Sequence, residues 1–178
     1  MPDPSRPDQH HRALRLLSRG ANLLQEGKAR EALSPLERAH QLEPDSVPVA
    51  INLAGAYILL GRHSDAIPLL EAASREEPAN PMIWTNLGAA YLGNPILATS
   101  EQQVRAIAAF QRALDLNPAA PNVHYNLGLI FLDRGEREAA LAAFRGALRV
   151  NPFDRDAGHY VKTLNGQADG QDNPAPTT

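Results

Sequence analysis

An all-α array of stacked helix pairs is the fold class this sequence predicts, and three observations carry the prediction. The prolines Pro44, Pro78, Pro118 and Pro152 stand 34, 40 and 34 residues apart. Two alanine columns, Ala32/Ala66/Ala106/Ala140 and Ala39/Ala73/Ala113/Ala147, keep the same series. Aromatic residues make up only 5% of the chain, so its core must come from Leu, Ala and Ile, which suits close-packed helices better than sheets. A fixed period of this length marks a repeat architecture, in which one helix pair cannot bury its apolar face alone and its neighbours bury it.

The elements follow in order. Residues 1–10 are polar, Pro-rich and without period, and are expected to be a disordered arm. They contain no basic run followed by an apolar stretch, so no signal peptide is expected. Helical periodicity begins near His11, with Leu14, Leu17, Asn22 and Leu24. The repeats span about residues 13–46, 47–80, 81–120 and 121–154 of an ordered domain covering 11–165. Gly27, Gly61 and Gly135 close first helices, because a helix end favours the left-handed conformation. Small residues at Gly20, Ala54, Gly88 and Gly128 let helices approach, and Leu23, Tyr57, Tyr91 and Phe131 fill the space.

Some positions depart from this scheme. Pro35 and Pro68 lie inside second helices and are expected to distort them. Arg19 stands where the other repeats have Leu53, Leu87 and Leu127, as an atypical terminal repeat would. The odd spacing of 40 is a six-residue insertion between Tyr91 and Ala106. Within it, Thr99 or Ser100 followed by Gln102 or Gln103 forms a capping box, so the next helix starts near Glu101 and runs about a turn longer than its siblings. Ile96 and Leu97 on that loop either anchor it to its own repeat, plug the end of a groove or touch a partner. Residues 154–165 form a further helix that caps the array, with Val161 and Leu164 inward, and residues 166–178 are expected to be disordered.

These columns resemble the tetratricopeptide repeat pattern. The third repeat carries Trp84, Leu87, Gly88, Tyr91, Ala106, Phe110, Ala113 and Pro118. The fourth carries Leu127, Gly128, Phe131, Ala140, Phe144, Ala147 and Pro152, with His124 in place of Trp. The second has Ala54 for Gly and Leu70 for Phe, and the first is the weakest match. The resemblance implies a right-handed superhelix of four helix pairs plus the capping helix. It further implies a protein-binding scaffold or adaptor that holds an extended or helical partner segment in a concave groove lined by the first helices. In resembling superhelices a ladder of asparagines bonds the partner's main chain, and Asn52, Asn86 and Asn126 occupy that column.

Helix spacing supplies the other expected groove residues: Ile51, Gly55 and Ile58; Met82, Thr85, Ala89 and Leu92; Asn122, Tyr125, Leu129 and Leu132. This surface is mainly apolar, the composition of a partner site. A carboxylate clamp for acidic tails is not expected, because the column offers Ile51, Thr85 and Tyr125 beside the asparagines and no lysine.

Several function classes are disfavoured. A net charge of −3 argues against nucleic-acid binding. The absence of cysteine removes disulfides, thiolate zinc sites and cysteine nucleophiles. The six histidines are scattered, with at most a structural pairing of His124 and His159. No Gly-rich phosphate loop or nucleophile motif is present. No enzyme activity, catalytic residue, cofactor or metal site is therefore expected. The partner is expected to be a protein or peptide, with no nucleic acid or membrane, for a cytoplasmic monomer or weak homo-oligomer. Self-association through an open edge is the alternative use of the apolar surface.

Overall fold

A computed structural model describes residues 6–169, with side chains from 8 to 166. Among the described residues there are nine helices and no strand. The chain divides into two compact units, one ending at Leu116 and the other beginning at Asn117. The first holds α1 (Arg6–Gln25), α2 (Ala29–Leu42), α3 (Val47–Leu59), α4 (His63–Glu76), α5 (Pro81–Leu92) and α6 (Ser100–Leu116). The second holds α7 (Val123–Asp133), α8 (Arg137–Val150) and α9 (Arg155–Asp169). Within each unit consecutive helices pack on one another, and in the first α3 also packs against α1 and α5.

Local chemistry sets the helix boundaries. Gly27, Gly61 and Gly135 take φ of 74°, 73° and 72°, a region that costs glycine nothing. Each closes its helix with the same pair of hydrogen bonds: Gly27 N donates to Leu24 O and Lys28 N to Leu23 O, Gly61 N to Ile58 O and Arg62 N to Tyr57 O, and Gly135 N to Leu132 O and Glu136 N to Phe131 O. This is the Schellman arrangement, which uses carbonyls a helix end would leave bare. α5 ends differently. Gly93 takes φ 59° and ψ −123° and donates to Ala89 O, and the chain leaves into the insertion.

That insertion has its own fastenings. Asn94 Oδ1 accepts from Ile96 N at 3.0 Å. Thr99 Oγ1 accepts from Gln102 N at 3.3 Å while Gln102 Oε1 accepts from Thr99 N at 2.8 Å, a reciprocal capping box that starts α6 at Ser100. α6 accordingly has 17 residues against 14 in each of α2, α4 and α8.

The space left by the small column is filled from the second helices, by Leu36, Phe110 and Phe144, and not by Leu23, Tyr91 and Phe131 as the sequence led us to expect. A Cβ added at Gly88 would lie 2.4 Å from the Phe110 ring, and one at Gly128 2.6 Å from Phe144. The glycines are the spaces into which those rings fit. Ala54 serves in the second pair, where Leu70 replaces the ring. In the second unit, α9 adds Ala157 and Leu164 to a core built on Phe144, and Tyr160 stacks on Phe144 at 4.5 Å and 10°.

Several expectations need correction. α1 begins at Arg6, so residues 6–10 of the expected disordered arm are helical; residues 1–5 lie outside the described residues. α9 runs to Asp169 rather than ending at 165, so residues 166–169 of the expected disordered tail are helical, and 170–178 lie outside the described residues. Pro35 and Pro68 lie inside α2 and α4, as placed from the sequence, and both helices continue past them. His124 and His159 do not pair: the His124 ring bonds Pro118 O at 3.2 Å, and His159 sits edge-on to Tyr160. The His124 contact matches that of Trp84, whose Nε1 donates to Pro78 O at 2.8 Å. Either ring can tie a helix to the proline carbonyl six residues earlier, which is how histidine substitutes for tryptophan in this column.

Candidate functional site

The candidate site is built separately in the two units. In the first, α3 and α5 contain no ionisable group except the hydroxyl of Tyr57 and that of Tyr91. The phenol of Tyr57 donates to Glu37 at 3.1 Å with Arg62 4.3 Å over its ring. That of Tyr91 donates to Glu71 at 2.8 Å, and Arg105 both bonds Glu71 at 3.0 Å and lies 4.0 Å over the ring. Desolvation, then the hydrogen bond to the glutamate, pushes both phenols above their ordinary pKa. The phenols are thus held neutral in clasps that join α3 to α2 and α5 to α4.

The remaining polar groups on α3 and α5 are amides and hydroxyls. Asn52 Nδ2 donates to Pro48 O at 2.9 Å, one turn back in its own helix, and Oδ1 remains available as an acceptor. Asn86 and Thr85 are half-buried, and their side chains bond no other described residue. Gly55 is half-exposed, and a Cβ added there would meet nothing within 4 Å. Met82 is 58% exposed, and Ala89 is half-buried. Ile51 does not belong with them: it is 7% exposed, part of the core with Leu53 and Tyr57, and offers a partner almost no surface. Leu92 is likewise buried.

In the second unit, α7 carries the rest of the predicted set. Asn122 is exposed and takes φ 63° immediately before the helix. Asparagine tolerates this left-handed conformation better than most residues. Tyr125 is half-buried, edge-on to Phe144 at 5.7 Å and tilted against Tyr160 at 6.3 Å. Burial, followed by the negative field of Tyr160, Asp156 and Asp154, raises its pKa. Leu129 packs against the same core, and Asn126 is half-buried beside it.

Among the described residues no group of three His, Cys, Asp or Glu could hold a metal, and no helix is long and apolar enough to cross a membrane. Sequence reasoning missed the clasp residues Glu37, Arg62, Glu71 and Arg105. It also missed the extent of the exposed apolar surface on the insertion, where Ile96 is 85% and Leu97 75% exposed while hydrogen bonds hold the loop's backbone.

Helix pairs closed by glycine turns, packed through small/large columns and presenting an uncharged strip define a helical-repeat binding scaffold. The chain belongs to the tetratricopeptide repeat family: a tetratricopeptide repeat model matches residues 23–91, a TPR repeat model residues 100–135, and a further tetratricopeptide repeat model residues 121–154. Protein FlbA of Caulobacter vibrioides is 36% identical over 106 residues, 60% of this chain and 17% of that protein. The BBSome complex member BBS4 of Xenopus tropicalis is 30% identical over 127 residues, 71% of this chain and 23% of that protein. This chain therefore spans less than a quarter of either relative. The crystal structure of a thermophilic TPR protein from Thermus thermophilus superposes with a TM-score of 0.73 at 22% identity, covering 88% of this chain and 82% of that one. The fold and family make the protein a protein–protein interaction scaffold, of a kind that is generally non-enzymatic.

Proposed function

We propose that the protein binds an uncharged segment of a partner protein along α3 and α5, through the polypeptide main chain and small apolar side chains. The carrying observation is Gly55. A glycine inside a helix costs roughly 0.5–1 kcal/mol relative to alanine. Among the first helices of the pairs, Gly20, Gly88 and Gly128 each have a packed side chain where their Cβ would be; Gly55 has open space, as do Gly158 and Gly166 in α9. A close approach by another backbone is a physical reason to keep that position bare.

The neighbouring groups suit such a guest. Asn52 Oδ1 can accept a main-chain N–H, the Asn86 amide can both donate and accept, and Met82 is an adaptable apolar contact. The lack of formal charge on the strip disfavours an acidic or basic segment, which would be desolvated with no partner. Asn122, Tyr125, Asn126 and Leu129 on α7 form a second patch of similar chemistry, which we assign the same role. One relative is named as a member of a protein complex, in keeping with an assembly function.

The test is selection of binding peptides from a displayed random library, followed by affinity measurement on Gly55→Leu and Asn86→Ala. Because nothing packs against Gly55, leucine there fills the strip without disturbing the core. The expected result is selected peptides uncharged over their central residues, with affinity lost at least tenfold in either variant and melting temperature little changed. Undiminished binding in both variants would remove the strip from the function.

A further inference from the structure

The first helix departs from the others at the positions where they are most apolar. In the repeat register, Arg15 aligns with Val49, Ile83 and Val123, and Arg19 with Leu53, Leu87 and Leu127. The six apolar residues are between 0% and 6% exposed, whereas both arginines are exposed. Arg12, also exposed, precedes them. At 100° per residue the three guanidinium stems fall within an arc of about 60°. Arg38 from α2 adjoins the first of them, since Arg12, Arg38, Gln41 and Leu42 line one shallow depression. None of these four arginines makes a hydrogen bond or ion pair with another described residue. Asp8 stands a turn before Arg12 on the same side of α1, and Glu43, just past the end of α2, is already engaged by His10.

An apolar helix face laid on these residues would bury guanidinium groups without partners, so whatever covers them must supply acceptors. Free, it is a compact cationic surface on a chain whose net charge is −3. We propose that the α1 face formed by Arg12, Arg15, Arg19 and Arg38 is a docking site for an acidic polypeptide segment, separate from the uncharged strip on α3 and α5.

Charge complementarity chooses the guest. The guanidinium fork matches a carboxylate with two parallel hydrogen bonds. Arg12 to Arg19 spans roughly 10 Å along the axis, the length of about three residues of extended chain or two turns of a facing helix with glutamates three and four residues apart. A nucleic-acid duplex would need a longer basic track and a chain without an overall negative field.

The test uses the full chain and a fluorescently labelled Glu-rich sixteen-residue peptide, titrated by anisotropy at low and physiological salt. Two competitors are added: a DNA duplex, and vesicles of phosphatidylserine and phosphatidylcholine. The expected result is saturable peptide binding, weaker at higher salt, that falls at least tenfold in Arg12→Gln/Arg15→Gln/Arg19→Gln and is only partly recovered when the same three positions carry lysine. Circular dichroism of each variant should match the parent, since none of the three side chains is buried. Asn86→Ala should bind the acidic peptide as the parent does. Absence of binding, equal binding by the glutamine variant, or stronger binding to the duplex or the vesicles than to the peptide would each overturn the proposal.

Discussion

α1 and α5 occupy the same register of the repeat and use it in opposite ways. α5 carries Ile83 and Leu87 in the core, 0% and 1% exposed, while α1 carries Arg15 and Arg19 at the aligned positions, both in solvent. Behind these faces the two helices agree. Gly20 and Gly88 each admit a large side chain from the following helix, Leu36 in one case and Phe110 in the other. The contact within a helix pair is thus common to both, while the chemistry of the other face differs between them. What a repeat position encodes is a neighbour, and where the neighbour differs the chemistry follows.

Substitutions can sharpen this contrast. The largest effect is expected at Leu87→Asp, which puts a carboxylate into a fully packed apolar site. Denaturant unfolding should show a loss above about 4 kcal/mol, enough to unfold the first unit. Gly88→Ala comes next: the new methyl meets the Phe110 ring, and the expected cost is roughly 1–3 kcal/mol. Gly55→Ala should act in the other direction, raising stability by about 0.5–1 kcal/mol because it removes a flexible residue from a helix without any clash. Arg19→Ala should have the smallest effect, within about 0.5 kcal/mol, since the side chain is exposed and unpartnered. A large loss at Arg19 would mean that α1 is not solvated on this face.

Much of this was legible in the sequence, for a physical reason. Helix pairs, turn glycines and the small column depend on near neighbours and recur at a fixed period, so several columns report one fold; which large residue meets each glycine was not readable, and it is Leu36, Phe110 and Phe144 of the second helices. The insertion's capping box was readable as well, because its partners Thr99 and Gln102 are three residues apart. Burial at the rim of a helix face was not. Ile51 aligns with Thr85 and Tyr125, which are half-buried, yet it belongs to a core against which Leu17, Leu24 and Ile58 also pack. Whether a rim position is covered depends on the size of side chains on other helices, which periodicity does not contain. The clasps were hidden for the same reason: Tyr57 and Glu37 are 20 residues apart, and Arg105 and Glu71 are 34. Arg19 stood out as an exception to its column, but its meaning required the burial of Leu53, Leu87 and Leu127.

In the reading proposed above, a half-buried uncharged strip on α3 and α5 and an exposed cationic face on α1 recognise different polypeptides. The most direct test is nuclear magnetic resonance mapping of the labelled protein, titrated in turn with a peptide selected from the random library and with the Glu-rich peptide. The selected peptide is expected to shift the Gly55 and Ala89 amides and the Asn86 side-chain amide while leaving the Arg12, Arg15 and Arg19 Nε signals in place, and the Glu-rich peptide to do the reverse. Both peptides shifting one common set of residues, or neither perturbing its assigned set, would contradict it.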